Sequence, residues 1–567
     1  MDILKMLTQE FHLKTEQVES TLKLIDDGNT IPFIARYRKE VTGSLDDQVL
    51  RELNERLLYL RGLQKRQEEV ISSIRQQEKM TDELMDSILS TKTLAELEDV
   101  YRPYKQKRKT RASVAREKGL EPLAKLILEQ YEDLIPLEEA ALYLDEENGL
   151  STPLEALSGA LDIIAEDISD SAEIRKLLRA FIIRSGNINS KAANPDLETV
   201  YSMYYDYSEP VNKIVGHRIL ALERGEKESA LKVSVSINLP AAISIISKKI
   251  IKWESPSKEV LLSTCEDSFN RLIFPSLERE IRNSLFENAS EQAIKVFSSN
   301  LKQLLMQPPV KGSVTLGLDP AYRTGCKIAV VDDTGKVLDT TVIYPTPPQS
   351  KVEQSKETIK KLIAKHGVST ISIGNGTASR ESEAFVAELI KEIPQQVSYM
   401  VVSEAGASVY SASKLAATEF PQFDVSLRSA VSIARRMQDP LAELVKIDPK
   451  AIGVGQYQHD MPKARLDEAL GGVVESCVNS VGVDLNTASE TLLTKVAGIN
   501  SAVAKNIVLY REENGAFTDR KQLMKVNKLG AKAFTQCAGF LRVSGGDNVL
   551  DNTGVHPESY KATTTLI

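Results

Sequence analysis

Asp319 stands where an alternating run ends. In KGSVTLGLDPAYRTGCKIAVVDDTGKVLDTTVIY (Lys311 to Tyr344), Val314, Leu316 and Leu318 alternate with Ser313, Thr315 and Gly317, the period of a half-buried strand. Asp319-Pro320 stops that run, and Arg323 and Lys327 follow in the next loop. Ile328 to Val331 and Val337 to Tyr344 read as two more strands, separated by the turn residues Asp332-Asp333-Thr334-Gly335. A carboxylate at a strand end is a group that can hold a divalent metal, but an Asp-Pro pair also simply starts a turn. Both readings stand on this stretch.

The second set of groups is cationic. YRPYKQKRKTRASVAREKGLEPL (Tyr101 to Leu123) carries Arg102, Lys105, Lys107, Arg108, Lys109, Arg111, Arg116 and Lys118 against Glu117. A charge run is ordinarily a solvated helix face. Pro103 and the interleaved Tyr101 and Tyr104 favour a shaped loop facing phosphates. IPFIARYRKEVTG (Ile31 to Gly43) likewise sets Arg36, Arg38 and Lys39 beside Tyr37. The third set is an internal repeat. LLTKVAGINSAVAKNIVLYR (Leu492 to Arg511) and QLMKVNKLGAKAFTQCAGFLR (Gln522 to Arg542) superimpose with an offset of 30, Val496 on Val526. Each reads as helix, short Gly-bearing hairpin, helix, a device that points backbone N–H groups at a phosphate without reading bases. Gly498 and Gly530 mark the hairpins, and Lys505, Lys528 and Lys532 add charge. Asn500 replaces the second glycine of the first copy and Lys528 the first glycine of the second; asparagine tolerates the left-handed conformation. A purely structural helical hairpin is the alternative for either copy.

These groups need elements to position them. At 567 residues the chain exceeds one core and predicts roughly three to five domains. The fold class expected is multidomain and mainly α: helical N-terminal and central regions, one α/β domain and tandem helix-hairpin-helix motifs. Residues 1–190 read as almost wholly helical, with Val49 to Ile88 an antiparallel helical pair. Residues 191–310 are mainly helical too, with one alternating strand at Leu231 to Ile237 and a helical pair from Asp267 to Gln307 before Pro308-Pro309. Tyr201, Tyr204, Tyr205 and Tyr207 read as helix packing rather than base stacking. Residues 311–440 alternate strand and helix; the passage Gly374-Asn375-Gly376-Thr377 between them is a weak anion-binding signal. Residues 441–545 hold the tandem hairpins and 546–567 a tail.

Composition sets the boundaries. Apolar and charged fractions of 42% and 26% are those of an ordinary globular chain. No apolar run approaches the roughly 18 residues of a membrane span, so no membrane partner and a cytoplasmic location are expected. The four scattered cysteines predict buried thiols, and the five scattered histidines give a structural zinc site little support. With a net charge of −8, any nucleic-acid surface must be a local basic patch on an acidic body.

Taken together, GNTIPFIARYRKEVTG, YRPYKQKRKTRASVAREKGLEPL, LIFPSLEREIRNSL, GLDPAYRTGCKIAVVD, IGNGTASRESEAF, VVSEAGASVYSAS and KIDPKAIGVGQYQHD resemble the Tex family of bacterial transcription accessory proteins, related to the core of a eukaryotic transcription elongation factor. The resemblance implies helix-turn-helix-like N-terminal helices, a YqgF (ribonuclease H-like) domain and tandem helix-hairpin-helix motifs. It implies a nucleic-acid-binding scaffold in transcription, indifferent to base sequence, with RNA polymerase as a partner to be considered. Family members normally end in an S1 domain; here only KATTTLI follows GGDNVLDNTGVHPESY, which points to a shortened chain or a member lacking that domain. By strand order and resemblance, Asp319, Glu404 and Asp439 occupy the places of metal-binding acids in ribonuclease H-like and resolvase-like nucleases. No cofactor is established by that, and Mg²⁺ or Mn²⁺ enters only if the cluster is active. Asp439 before Pro440 also carries an N-cap signature, and Asn375 stands where some such nucleases carry an acid. The binding scaffold therefore ranks ahead of the metal-dependent nuclease.

Overall fold

The computed structural model describes residues 2–106 and 108–566. The chain divides into two compact units. One comprises Met1–Glu10 and Glu55–Ala293; the other comprises Phe11–Asn54 and Ile294–Ile567. Among the described residues no helix is long and apolar enough to cross a membrane. All four cysteines are free and buried, and burial pushes the thiols of Cys265 and Cys537 up to about 12.

The first unit is helical around a small sheet. The helical pair predicted from Val49 to Ile88 is unequal, a 30-residue helix at Asp47–Gln76 and a short one at Asp82–Ser90. The reversal comes late because nothing breaks the long helix before Glu78, which takes a left-handed φ of 57°, and Thr81 then caps the short helix. The helical pair predicted from Asp267 to Gln307 is not a pair. Lys258–Asp267, a π-helical segment Ser268–Ile273 and Phe274–Leu305 follow one another without a turn. The π-helical widening ends just before Pro275, and such a widened turn is where a continuous helix can take a residue that has no N–H to donate. The predicted strand is present as Leu231–Ser236, and it edges a three-stranded antiparallel sheet with Asn187–Ala192 and Asp206–Pro210. The tyrosine cluster packs, but not on a helix: it spans the 3-10 turn Ser202–Tyr204 and the strand Asp206–Pro210, with Tyr201 and Tyr204 buried and Tyr204 meeting Tyr207 edge-on at 5.2 Å.

In the second unit the α/β domain is a five-stranded mixed sheet. Its order is Val337–Ile343, Cys326–Val331, Thr315–Asp319, Thr370–Gly374, Ser398–Val402. The first three strands are antiparallel and the last three parallel, so the central strand Thr315–Asp319 pairs both ways. Helices Val352–His366 and Ser379–Lys391 cover one face over Leu316, Leu318, Ile328, Ile371 and Ile373. Helix Val425–Gln438, hereafter the closing helix, covers the other through Ala430, Val431 and Ala434 against Ala329 and Val331. The alternation in the central strand looked half-solvated, yet the strand is buried on both faces. Its polar side lies under the closing helix, where the Thr315 hydroxyl meets Thr370 at 3.0 Å and accepts from Gln438 at 3.4 Å. Gly317 is what admits the helix so closely: a Cβ there would meet the Ala430 carbonyl and stand 2.8 Å from Ala434 Cβ.

The same unit joins the start of the chain to its end. Gln536 accepts from the Thr30 N–H at 3.0 Å and donates to Asn29 at 2.8 Å. Arg36 donates to the carbonyls of Asn479 and Ser480, Arg38 pairs with Glu558 at 3.1 Å, and Tyr37 packs on Phe540 and His556. The aromatic and basic residues of Ile31–Tyr37 and Arg38 are therefore structural.

A side chain at 317 forces the closing helix off the sheet. Gly317→Val is expected to destabilise the domain by about 1–3 kcal/mol, the usual cost of overpacking. Hydrogen exchange of the Thr315–Asp319 amides should quicken, and unchanged protection of that strand would contradict the packing described.

Candidate nucleic-acid interface and carboxylate site

At the C-terminal edge of the parallel strands, two of the three proposed carboxylates come together. Asp319 ends the central strand, and Glu404 follows the edge strand Ser398–Val402. The Gly374-Asn375-Gly376 passage is the seat of Glu404. A Cβ at Gly374 would stand 2.7 Å from a Glu404 carboxylate oxygen, one at Gly376 would overlap the carboxylate, and Asn375 Oδ1 accepts the Glu404 N–H at 3.0 Å. The glycines that resembled an anion cradle hold the chain's own anion.

Burial is the largest influence on Asp319; with the Glu404 charge adding to it, the Asp319 carboxyl is raised from its ordinary 3.8 to about 6, against a hydrogen bond from Ser429 and the Lys327 charge. Lys327 itself donates to the carbonyls of Thr324 and Gly325. Arg436 is buried and donates to the carbonyls of Ser403 and Ala405, which brackets Glu404 and fixes its loop.

Asp439 is not part of this pair. Its carboxylate caps the short helix Pro440–Leu444 by accepting the Ala442 N–H at 2.9 Å. Gln438 beside it donates to the carbonyls of Ser313 and Asp332, at the opposite end of the central strand from Asp319. The closing helix runs antiparallel to that strand, so Ser429, ten positions earlier and about 15 Å along the helix, meets Asp319 instead. Among the described residues no group of three His, Cys, Asp or Glu is placed to hold a metal. Two carboxylates flanked by the Ser429 hydroxyl and the Asn375 amide do not fit a two-metal centre, which needs more anionic oxygens to balance its charge.

The tandem hairpins are present, and their two copies agree at the turn itself, although the segment before the second turn is a 3-10 helix, Arg520–Lys525, and its following helix is half as long as the first copy's. Gly498 and Lys528, offset by 30, both take a left-handed φ, +80° and +65°. Asn500 and Gly530 are both extended N-caps, of helices Ser501–Asn514 and Ala531–Cys537. Asn500 therefore stands in for a glycine by capping, its side chain accepting the Val503 N–H at 3.0 Å, not by a left-handed turn. Gly498 also allows close packing, since a Cβ there would lie 2.6 Å from Gln536 Cβ in the second copy. At the start of Ser501–Asn514 the N–H groups of Ser501 and Ala502 have no acceptor among the described residues. Lys505 and Lys528 are exposed and flank the 2.8 Å contact of Asn506 with the Asn527 carbonyl, so one surface carries both. Lys532 is spent elsewhere, donating to the Asp27 carbonyl at 2.8 Å.

The basic loop in the first unit divides in two. Arg102 pairs with Asp170, Lys105 with Glu98, Arg116 with Glu166 and Asp167, and Lys118 donates to the Gly149 carbonyl. Tyr101 and Tyr104 pack on the core around Leu63, Val70 and Leu97, so neither is presented to a base. Arg108, Lys109 and Arg111 are exposed, with no ionic or hydrogen-bonding partner among the described residues. Lys107 lies outside the described residues. Sequence reasoning missed Ser429 and Arg436. An arginine in the last turn of the closing helix was the one available signal.

Four family models match: "Tex-like protein N-terminal domain" over residues 1–75, "Tex central region-like" over 132–297, "Tex protein YqgF-like domain" over 313–438 and "Helix-hairpin-helix motif" over 478–542. The chain is 52% identical to the uncharacterized protein YdcI of Bacillus subtilis, over 99% of this chain and 79% of that protein. It is 48% identical to the transcriptional accessory protein Tex of Neisseria gonorrhoeae, over 100% and 75% respectively. It is 46% identical to the protein tex of Bordetella pertussis, over 100% and 74%.

The raised Asp319 carboxyl has a measurable cost. Ionised, it destabilises the fold; that penalty is present in full above about 6 and gone below 3.8, where the unfolded chain is protonated as well. Asp319→Asn should raise the melting temperature at pH 8, and the gain should fade between pH 6 and pH 4. An equal effect at both ends of that range would refute the burial argument.

Proposed function

The chain belongs to the Tex family, and from that premise we propose that it acts as a nucleic-acid-binding accessory protein of transcription, holding DNA or RNA by its phosphates. The carrying observation is the doubled hairpin. Free backbone N–H groups at the start of Ser501–Asn514, with exposed Lys505 and Lys528 on one surface, suit a phosphate run and offer nothing that reads a base edge. Arg108, Lys109 and Arg111, exposed and unpaired among the described residues, supply a second set of cations on a chain whose net charge is −8. The cytoplasm is the proposed location and RNA polymerase the proposed protein partner, both from the kinship with a transcriptional accessory protein.

Each cation that contacts a phosphate releases condensed counterions, so the fall of log K with log salt should carry roughly 0.7 to 0.9 per contact. Replacing Arg108, Lys109 and Arg111 together by alanine should flatten that slope by about two to three, with the melting temperature unchanged because the three pair with none of the described residues. Replacing Lys505 and Lys528 should flatten it by about 1.4 to 1.8. Titrations of a single-stranded and a duplex oligonucleotide at several salt concentrations check both. A slope unmoved by either set sinks the phosphate reading.

The nuclease reading makes a separate demand. Incubation with Mg²⁺ or Mn²⁺ and single-stranded or branched DNA is expected to give no cleavage above background, in this protein or in Asp319→Asn. Metal-dependent turnover that the substitution abolishes would establish the nuclease in its place.

A further inference from the structure

The five-stranded sheet has two edges, and they are treated differently. An open edge presents unpaired backbone groups, and proteins blunt such edges with charges, prolines or bulges. The Val337–Ile343 edge carries Asp339, paired with Lys365 at 2.8 Å and His366 at 3.0 Å, and its register shifts at Val330/Val331. The opposite edge, Ser398–Val402, carries none of these devices. It reads Ser-Tyr-Met-Val-Val, and Tyr399, Met400 and Val401 are 37%, 40% and 37% exposed.

Its hydrogen-bonding geometry is specific. The strand pairs in parallel with Thr370–Gly374, and Ser398 donates its N–H inward to the Ser369 carbonyl. By the two-residue repeat of a strand, Met400 and Val402 also face inward, and Tyr399 and Val401 turn N–H and C=O outward. No described residue bonds to those outward groups.

We propose that this edge accepts an extended peptide segment of a partner protein as a sixth strand. Two outward residues offer four main-chain hydrogen bonds over five residues, about 17 Å of strand. That length matches a peptide. A five-residue edge is a small contact beside the roughly 1,200 Å² or more that a stable dimer of folded subunits buries, so a second copy of this chain is the poorer fit. Charge narrows the occupant further. The uncharged strand is flanked by Glu383, whose carboxylate lies 3.5 Å from the Tyr399 hydroxyl. The segment that fits has apolar residues at alternate positions and a lysine or arginine at its end. The proposal is independent of the phosphate-binding surfaces.

The test uses the full chain and a phage-displayed library of random linear dodecapeptides, with the selected peptides then synthesised. Val401→Pro removes an outward N–H that the sheet does not use, and proline is tolerated on an edge strand, so the fold should survive. Val401→Thr keeps the N–H. Selected peptides should alternate apolar residues, lose at least tenfold in affinity to Val401→Pro, and keep it with Val401→Thr. Methylating alternate peptide amides should abolish binding with the protein unaltered, which keeps the test decisive if the proline variant does not fold. Failure to select any peptide would overturn the proposal, as would binding indifferent both to Val401→Pro and to amide methylation. A homodimer that Val401→Pro dissociates without peptide would assign the edge to a second copy. An RNA oligonucleotide whose affinity alone falls in Val401→Pro would assign it to nucleic acid.

Discussion

The α/β domain depends on the closeness of one helix to one strand. With no side chain at Gly317, Val425–Gln438 lies against the backbone of the central strand, and its position fixes four things along its length. Ser429 meets Asp319, the Ile433 carbonyl accepts from Ser372 at 2.8 Å, Arg436 holds the Glu404 loop, and Gln438 ties the start of the strand. A helix displaced by one side chain's width would loosen all four together. The carboxylate pair is thus a product of packing, and its geometry inherits the rigidity of a closely packed interior.

The pair brings two carboxylates together at the ends of two parallel strands with little charge to balance them. Around Asp319 and Glu404 the structure places the Ser429 hydroxyl and the Asn375 amide. A hydroxyl and an amide satisfy hydrogen bonds at neutral cost, whereas further carboxylates in a half-buried site would need cations to balance them. Burial, with the Glu404 charge added, is what keeps the Asp319 carboxyl elevated.

Local signals were legible in the sequence and directional ones were not. The hairpin repeat was readable because each copy is a contiguous pattern, and the offset of 30 that aligns Val496 with Val526 also aligns the left-handed φ of Gly498 with that of Lys528. Asp319 at the end of its strand was readable from alternation alone. Asp439 was misplaced because strand order does not tell which way a helix crosses the sheet; antiparallel to the central strand, the helix carries its last residue away from Asp319. The basic loop was overread for a similar reason. Which cations are free depends on Glu98, Glu166, Asp167 and Asp170, brought beside it by the fold. Two strands of the small sheet in the first unit, Asn187–Ala192 and Asp206–Pro210, lack the apolar alternation that identified their neighbour Leu231–Ser236.

The contacts between Asp27–Arg38 and the hairpin region join residues more than 440 positions apart, and up to 520. A ribosome adding about 5–20 residues per second delivers the second partner roughly half a minute or more after the first. Through that interval Phe33 and Tyr37 lack the His556 and Phe540 rings they pack on. The segment Asp27–Arg38 is therefore among the last parts of the molecule to acquire its native surroundings.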